Sequence, residues 1–341
     1  MKLELFSYNL PKRSIAQKPI EPRDHSKLLI YNRPTRKIIN DHFYRLDTYL
    51  RPGDVLVFND TKVFPARLIG HKQTGGRIEV FLLKATRGNH WEALIGGKVR
   101  RVGQVISFGS GLRCKVEKQF PNGIWQVGFN KKPSLVMAIA GKIGETPTPP
   151  YVKKITKLSD YQTVYAKKVG SVAAPTAGFH FTKQLLAKLK KQGVQFEYVT
   201  LHIGYGTFQP VKANDIKKHK MHAEYAELGK RTVQRLMSAK KKGRRIIAVG
   251  TTSVRALETV YRLPATDYSR KGFHGWINSF IYPGYKFKMV DGMITNFHLP
   301  QSTLLMLVAA FAGRKEILNL YSRAVKQRYR FYSFGDGMFI H

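Results

Sequence analysis

The sequence predicts an α/β protein in which a mixed sheet with helices on both faces is interrupted by a small antiparallel β-barrel. Strand-like and helix-like segments alternate in the C-terminal half. Six short strand-like segments without a helix lie between residues 67 and 129, which is typical of a small barrel. A further strand-like segment at 54–59 precedes them. We therefore expect a barrel domain at 66–150, inserted into an α/β domain made of 1–65 and 151–341.

The predicted barrel strands are apolar segments separated by glycine and turn pairs. TGG at 74–76 and PNG at 121–123 predict hairpins, because glycine and asparagine accept the positive φ that such turns need. The proline-rich segment ETPTPPYV at 145–152 marks the end of the barrel. In chain order the six strands are RLIGHK, RIEVFLLKA, HWEALI, QVISFG, LRCKVEKQ and IWQVGFN.

Three segments after the barrel predict helices paired with strands. The first is a helix capped by Thr182 that ends at Gly193 and continues into a strand ending near Ile203. The second repeats this order, with Gly243 as the helix stop, the strand IIAVG, and another helix beginning at 251–253. The third is a strand, a loop and an apolar helix that ends at a glycine.

Composition excludes several classes of protein. The single cysteine, Cys114, excludes an intramolecular disulfide and multi-cysteine zinc or iron–sulfur sites. The longest apolar run, Leu304–Ala312, is far shorter than the roughly 20 residues of a membrane span. The N-terminal residues lack the apolar core of a signal peptide. We expect a cytoplasmic monomer that does not bind a membrane.

The net charge is unusual for a globular protein. With 59 Lys and Arg against 21 Asp and Glu, the chain carries +38. Such a field favours a polyanion, and nucleic acid is the most common one in the cytoplasm. The excess is spread evenly along the chain, so a source organism with generally basic proteins remains an alternative explanation.

Polar or glycine-rich segments follow four of the predicted strands. Because open α/β sheets bind ligands at the carboxyl ends of strands, we expect these segments to form one pocket. The GTTS turn could hold an anion or carboxylate at a helix N-terminus, or it could be a plain helix cap. No P-loop or complete GxGxxG motif is present. The four segments are Asn59–Thr61, His202–Phe208, Val249–Arg255 and Thr295–Pro300.

The segment HKMHAE at 219–224 places two histidines and a carboxylate within six residues. As a strand, Met221, Ala223 and Tyr225 would share an apolar face, and His222 and Glu224 would point together from the other face. Such a pair suits proton transfer, but solvated surface groups or a metal site remain open at this stage. HExxH is absent.

The loop AAPTAGFHFT at 173–182 is the other unusual segment. Its small residues would let the backbone approach a ligand closely, and Phe179, His180 and Phe181 could stack on a base. Packing of both phenylalanines in the core beneath the next helix is an equal alternative.

Taken together, these segments resemble the S-adenosylmethionine:tRNA ribosyltransferase-isomerase family of queuosine biosynthesis. The resemblance extends nearly end to end, with the motifs in order. They are IAQKPIEPRDHSKLL, VFNDTKVFPARL, ETPTPPY, YQTVYA, GSVAAPTAGFHFT, VTLHIGYGTFQPV, HKMHAE, AVGTTSVRALE, FIYPGY, DGMITNFHLPQSTLLMLVAAFAG and YSFGDGMFI.

The resemblance implies a tRNA acceptor that carries 7-aminomethyl-7-deazaguanine at the anticodon wobble position. S-adenosylmethionine would donate its ribosyl carbons and be consumed as a substrate, so no cofactor is expected. The implied products are epoxyqueuosine in the tRNA, adenine and methionine. The family fold, an α/β domain with an inserted β-barrel, agrees with the segment pattern. The family is not known to need a metal, so no metal site is expected.

Physical needs of this reaction can be matched to residues of the motifs. A base must remove a C5′ hydrogen acidified by the sulfonium, and the acceptor amine must lose a proton before it attacks. An RNA methyltransferase and a non-catalytic RNA-binding protein are the rival functions. We expect catalytic roles for His222, Glu224, His180 and Asp60. We expect substrate binding by Thr251, Thr252, Ser253, Arg255, His202, Gly204, Gly206, Phe179, Phe181, Phe297 and His298.

Overall fold

The structure, a computed structural model, describes residues 1–97, 101–121, 123–153, 157–204, 206, 211 and 213–341. Within these ranges it contains a nine-stranded mixed sheet and a closed six-stranded barrel in which all neighbouring strands are antiparallel. The predicted fold class is therefore confirmed.

The large sheet has the strand order β15-β13-β12-β3-β14-β16-β17-β1-β2. Strands β12, β3, β14 and β16 run parallel to one another, so their carboxyl ends lie at the same edge of the sheet. The strands are β1 (Lys27–Tyr31), β2 (Ile38–His42), β3 (Val55–Asn59), β12 (Gln195–His202), β13 (Glu224–Gly229), β14 (Ile246–Val249), β15 (Gly272–Ile277), β16 (Gly292–Asn296) and β17 (Gly337–Ile340).

Helices cover both faces of this sheet. They are α2 (Lys183–Lys191), α3 (Lys230–Lys241), α4 (Thr251–Val260), α5 (Ala265–Tyr268), α6 (Thr303–Ala312) and α7 (Arg314–Lys326). Strand β3 is buried throughout because Val55 and Val57 pack in the core with α3, α4, α6 and α7, whereas Leu56 and Phe58 pack in the core with α2.

Local signals set the ends of the helices as the sequence predicts. The hydroxyl of Thr182 accepts a hydrogen bond from the N–H of Leu185 at 3.1 Å and caps α2. Gly193 and Gly243 follow α2 and α3 with φ of +88° and +66°, a conformation that glycine adopts without steric cost.

The barrel has the strand order β10-β7-β6-β5-β8-β9. Its strands are β5 (Arg67–Lys72), β6 (Arg77–Ala85), β7 (His90–Gly96), β8 (Val105–Ser107), β9 (Arg113–Gln119) and β10 (Trp125–Phe129). Trp91 and Trp125 are buried in its interior. The helix α1 (Pro133–Ile143), which the sequence analysis did not predict, packs against this core through Val136 and Ala140. A two-stranded parallel sheet of β4 (Thr61–Val63) and β11 (Lys168–Ser171) completes the strands of the described residues.

The predicted strand across HKMHAE is wrong in its extent. Strand β13 begins only at Glu224, and the residues before it lie outside regular strand structure. The buried face of β13 is Glu224, Ala226 and Leu228, so the carboxylate itself points towards the core. The predicted alternation of apolar and polar side chains was wrong because the buried carboxylate of Glu224 is paired with a residue from another part of the fold. Local sequence periodicity does not reveal such a partner.

No helix within the described ranges has both the length and the apolar composition that crossing a membrane requires.

Candidate functional site

A cavity of about 80 Å³ lies at the carboxyl ends of three parallel strands, and we call it the strand-end cavity. Ile203 follows β12, Thr251 and Thr252 follow β14, and His298 follows β16. The fourth predicted segment, Asn59–Thr61, does not line this cavity.

A second opening of about 610 Å³ lies between the barrel and the sheet, and we call it the barrel-side cleft. Lys84 and Trp91 line it from the barrel. His202, His222 and Trp276 line it from the sheet side, together with the predicted site residues Gly204, Gly206 and Glu224. This volume lies in the roughly 300–1,000 Å³ range of small-molecule sites, which is also the size of a single base projecting from a macromolecule.

An ion pair between Arg255 and Glu224 lies between the two openings. Arg255 lines the strand-end cavity and Glu224 lines the barrel-side cleft, while Nη1 of Arg255 donates to Oε2 of Glu224. Both side chains are buried, with exposed fractions of 5% and 1%. Since Ile203 lines both openings as well, the two spaces are neighbours separated by this pair.

Several groups keep Glu224 ionised. Burial alone would raise its pKa, but the Arg255 guanidinium and the His222 imidazole outweigh burial and hold the pKa at about 2. The N–H of Gly204 also donates to Oε1 at 3.2 Å. Glu224 is therefore a carboxylate at neutral pH and a very weak base.

His222 lies at the boundary between Glu224 and the cleft. Its Nε2 is 3.3 Å from Oε1 of Glu224, and 26% of the side chain is exposed. The carboxylate orients the imidazole. Of the two residues, His222 is the more accessible from the cleft, because only 1% of the Glu224 side chain is exposed.

Gly206 contacts the other side of His222. A Cβ added at Gly206 would lie 2.5 Å from Cγ of the imidazole, a distance that side chains do not tolerate. His222 can therefore occupy its observed position only with a glycine at 206.

Replacing Gly206 with alanine is expected to displace His222 and lower kcat by about 100-fold, since a shift of about 1 Å at a catalytic group has such an effect. Gly204→Ala is the matched comparison, because a Cβ there meets no atom within 4 Å and should have a much smaller effect. Steady-state kinetics of both variants test this. Equal losses in the two variants would contradict it.

The first residues of α4 line the strand-end cavity. They include two buried polar atoms that have no hydrogen-bond partner among the described residues. They are Nη2 of Arg255 and Oγ1 of Thr252. Thr251 also lines the cavity, whereas the hydroxyl of Ser253 donates to the carbonyl of Val249 at 2.9 Å and does not line it. Since buried polar groups normally have partners, the two free atoms indicate a ligand with acceptor oxygens.

The predicted histidines His298 and His180 lie in different surroundings. His298 lines the strand-end cavity, with Nε2 at 2.9 Å from Oγ1 of Thr295, and burial lowers its pKa to about 3. His180 lines neither opening. Its Nδ1 is 2.7 Å from the hydroxyl of Ser26 and its Nε2 is 3.3 Å from Oδ1 of Asn296, and burial lowers its pKa to about 4. Because Asn296 lines the cavity, His180 orients a residue of the wall.

Asp60 lies between β3 and β4, and His202 is the last residue of β12, the strand next to β3. Asp60 lines neither opening, and it accepts a hydrogen bond from Thr200 at 2.7 Å while burial raises its pKa. His202 lines the barrel-side cleft, where its Nδ1 is 2.8 Å from Oγ1 of Thr61 and burial lowers its pKa.

The three predicted stacking residues lie in packed surroundings away from both openings. Phe181 and Phe297 are fully buried in the cores on opposite faces of the large sheet. Phe179 packs with its ring stacked on that of Phe334. The structure does not bring these rings together with Glu224 and Arg255.

Two tyrosines that the sequence analysis did not select line the strand-end cavity. The ring centroids of Tyr151 and Tyr332 are 3.8 Å apart, edge to face. Tyr332 has φ of +78°, a strained conformation that is rare for a residue with a side chain and is enriched at functional sites. The sequence feature that could have identified Tyr332 is its position in the YSFGDGMFI segment. The neighbouring residues give no indication of a positive φ at this tyrosine.

Among the residues that the structure describes, no group of three or more His, Cys, Asp or Glu side chains is placed to hold a metal ion.

Comparison with known proteins matches the chain to a protein family and to a solved structure. A family model described as "Queuosine biosynthesis protein" matches residues 3–340. The crystal structure of an S-adenosylmethionine tRNA ribosyltransferase from Thermotoga maritima matches with 36% sequence identity and a TM-score of 0.58. That match covers 99% of this chain and 100% of the other.

Proposed function

The chain belongs to the queuosine biosynthesis protein family, and we propose that it is an S-adenosylmethionine:tRNA ribosyltransferase-isomerase. It transfers the ribosyl moiety of S-adenosylmethionine to 7-aminomethyl-7-deazaguanine at the wobble position of a tRNA anticodon loop and isomerises it. The products are epoxyqueuosine in the tRNA, free adenine and methionine. S-adenosylmethionine is a consumed substrate, and the reaction uses no cofactor or metal.

The observation that carries this proposal is the buried Glu224–Arg255 pair between two openings of different size. The strand-end cavity presents unpartnered polar atoms at the start of a helix to the carboxylate of the small donor, and the larger barrel-side cleft suits a base that projects from a tRNA. Transfer between them requires both substrates to meet at a polar boundary, which this pair and His222 supply.

The donor is held by its methionyl carboxylate at the start of α4. Nη2 of Arg255 and Oγ1 of Thr252 are the unpartnered buried atoms there, and the free N–H groups of the first helical turn favour an anion. Tyr151 and Tyr332 provide aromatic surface for the adenine or the sulfonium.

Replacing Thr252 with valine is expected to raise the KM for S-adenosylmethionine about tenfold or more, since a hydrogen bond to a charged group contributes roughly 1.5–3 kcal/mol. Ser253→Ala is the matched control, because that hydroxyl already donates to Val249 and should leave the KM near wild type. Initial rates at varied donor concentration measure both. A KM that rises only in Ser253→Ala would refute this assignment.

His222 accepts the proton of the acceptor amine, which must be neutral before it attacks the donor. Glu224, with a pKa of about 2, stays ionised and orients the imidazole. This division of roles follows from burial and charge, because Arg255 makes the carboxylate too weak a base.

The test is to incubate the protein with acceptor-bearing tRNA and S-adenosylmethionine labelled in the ribose. Label in the tRNA together with free adenine and methionine is the expected result. Methyl transfer to the tRNA would indicate an RNA methyltransferase instead, and binding without turnover would indicate a non-catalytic RNA-binding protein. Omission of any added metal and inclusion of a chelator should leave the rate unchanged.

A further inference from the structure

Three adjacent strands of the large sheet present a row of rings to the barrel-side cleft. In the antiparallel register, His202 on β12 lies opposite Tyr225 on β13, and Tyr225 lies opposite Trp276 on β15. All three side chains line the cleft. The centroids of His202 and Tyr225 are 6.3 Å apart with nearly parallel rings, and those of Tyr225 and Trp276 are 5.4 Å apart.

Trp276 is exposed to an unusual degree. Its exposed fraction is 51%, whereas Trp91 and Trp125, the other two tryptophans of the chain, are 2% and 3% exposed. The ammonium of Lys84, from the barrel strand β6, lies 3.9 Å from the centre of the Trp276 ring. A large ring left in water at the mouth of a cleft, with a cation beside it, is typical of a binding surface rather than of a fold requirement.

Aromatic side chains aligned across the surface of a sheet are suited to stacking on unpaired bases. Every base has a π-face, so this contact does not need a particular sequence, and a lysine beside it can contact the phosphate backbone. The net charge of +38 favours a polyanionic partner over a second copy of this equally basic chain.

We propose that Trp276, with Tyr225 and Lys84, forms a stacking platform for an unpaired nucleotide of the RNA substrate next to the one that is modified. This inference rests on the proposed function and adds a positioning surface to it. The base that reacts would reach His222, which lines the same cleft, while its neighbour stacks on Trp276. The platform therefore contributes binding energy that retains the loop in the cleft.

The experiment uses Trp276→Ala, Trp276→Phe and, as a control, Tyr44→Ala, an exposed aromatic outside the cleft. Trp276→Ala is expected to raise the Kd for an anticodon stem-loop RNA and the KM for tRNA about tenfold or more, by loss of one stacked base. The kcat and the KM for S-adenosylmethionine should stay near wild type. Trp276→Phe should restore most of the affinity, and Tyr44→Ala should leave it unchanged.

Fluorescence gives an independent readout, because Trp276 is the exposed tryptophan among three. Addition of the stem-loop RNA should quench wild-type fluorescence, and a stem-loop with abasic loop nucleotides should not. Unchanged Kd and KM in Trp276→Ala, or quenching by the abasic RNA equal to that by the intact RNA, would overturn the platform. Fluorescence that varies with protein concentration and not with RNA would overturn it in favour of a self-association surface.

The binding readouts do not depend on turnover, so the two proposals can fail separately. If wild-type protein transfers ribose to tRNA and Trp276→Ala has a wild-type KM, only the platform is wrong. If no transfer occurs but RNA binding depends on Trp276, the proposed reaction is wrong and the binding surface stands.

Discussion

Replacing Arg255 with methionine is expected to lower the free energy of unfolding by about 3–5 kcal/mol, because the substitution leaves the buried Glu224 carboxylate without its cation. The same change removes the proposed partner of the donor carboxylate, so turnover should fall below detection even at temperatures where the variant is folded. Chemical denaturation measures the first effect, and the ribose-transfer assay measures the second.

The stability loss in Arg255→Met should depend on pH in a defined direction. In the wild type the pKa of Glu224 lies near 2, below its usual 4.5, so its ionised form stabilises the fold above pH 4.5. That contribution is lost as pH falls from 4.5 through 2. In the variant, burial without the guanidinium raises the pKa, and protonation relieves the unpaired charge. The difference in the free energy of unfolding between Arg255→Met and the wild type should therefore become smaller as pH falls.

The double variant Arg255→Met with Glu224→Gln separates the two effects. Removing both charges should restore part of the stability, since replacing a buried pair by neutral groups is often close to neutral. Catalysis should not return. Wild-type stability of the single variant Arg255→Met at pH 7 would show that Glu224 does not depend on Arg255 as its buried partner.

Replacing His222 with alanine is expected to lower kcat by about 10²–10⁴-fold, the usual contribution of a positioned proton carrier. The fold should be retained, because the side chain is partly exposed and contacts Glu224 from the edge of the cleft. The KM for S-adenosylmethionine should change little, since His222 lines the barrel-side cleft and not the strand-end cavity.

His219→Ala is the matched control for His222→Ala. His219 lies three residues earlier in the same segment, and its ring packs edge-on against Phe280 without lining either opening. We expect near wild-type kcat for this variant. Full turnover in His222→Ala would exclude His222 as the proton carrier, and equal losses in both variants would indicate a general disturbance of the segment.

Much of the fold could be predicted from short-range patterns. The barrel strands β5 to β10 follow from alternating apolar residues and from glycine turns such as Gly75, which has φ of +80°. The cap at Thr182 and the stop at Gly193 follow from hydrogen bonds within a few residues. The helix α1 was missed because no strong periodic signal separates it from the polar segments around it.

The candidate site could be predicted in part. The segments after β12, β14 and β16 meet at one cavity, as parallel strands require. The phenylalanines 179, 181 and 297 could not be placed from sequence, because a ring in a motif packs a core as readily as it stacks on a ligand. Tyr332 was missed because its left-handed backbone depends on the surrounding structure.

The sequence by itself determined the types and order of the structural elements and the family resemblance, because periodicity, capping and turn chemistry act over a few residues. Only the tertiary structure decided that the Glu224 carboxylate is buried and paired with a cation, which is why we propose His222 as the proton carrier. That pairing depends on Arg255, which is 31 residues from Glu224 in the chain and reaches it from another element. Burial and pairing of charges are properties of the packed molecule, so they appear only when β13 and α4 are brought together.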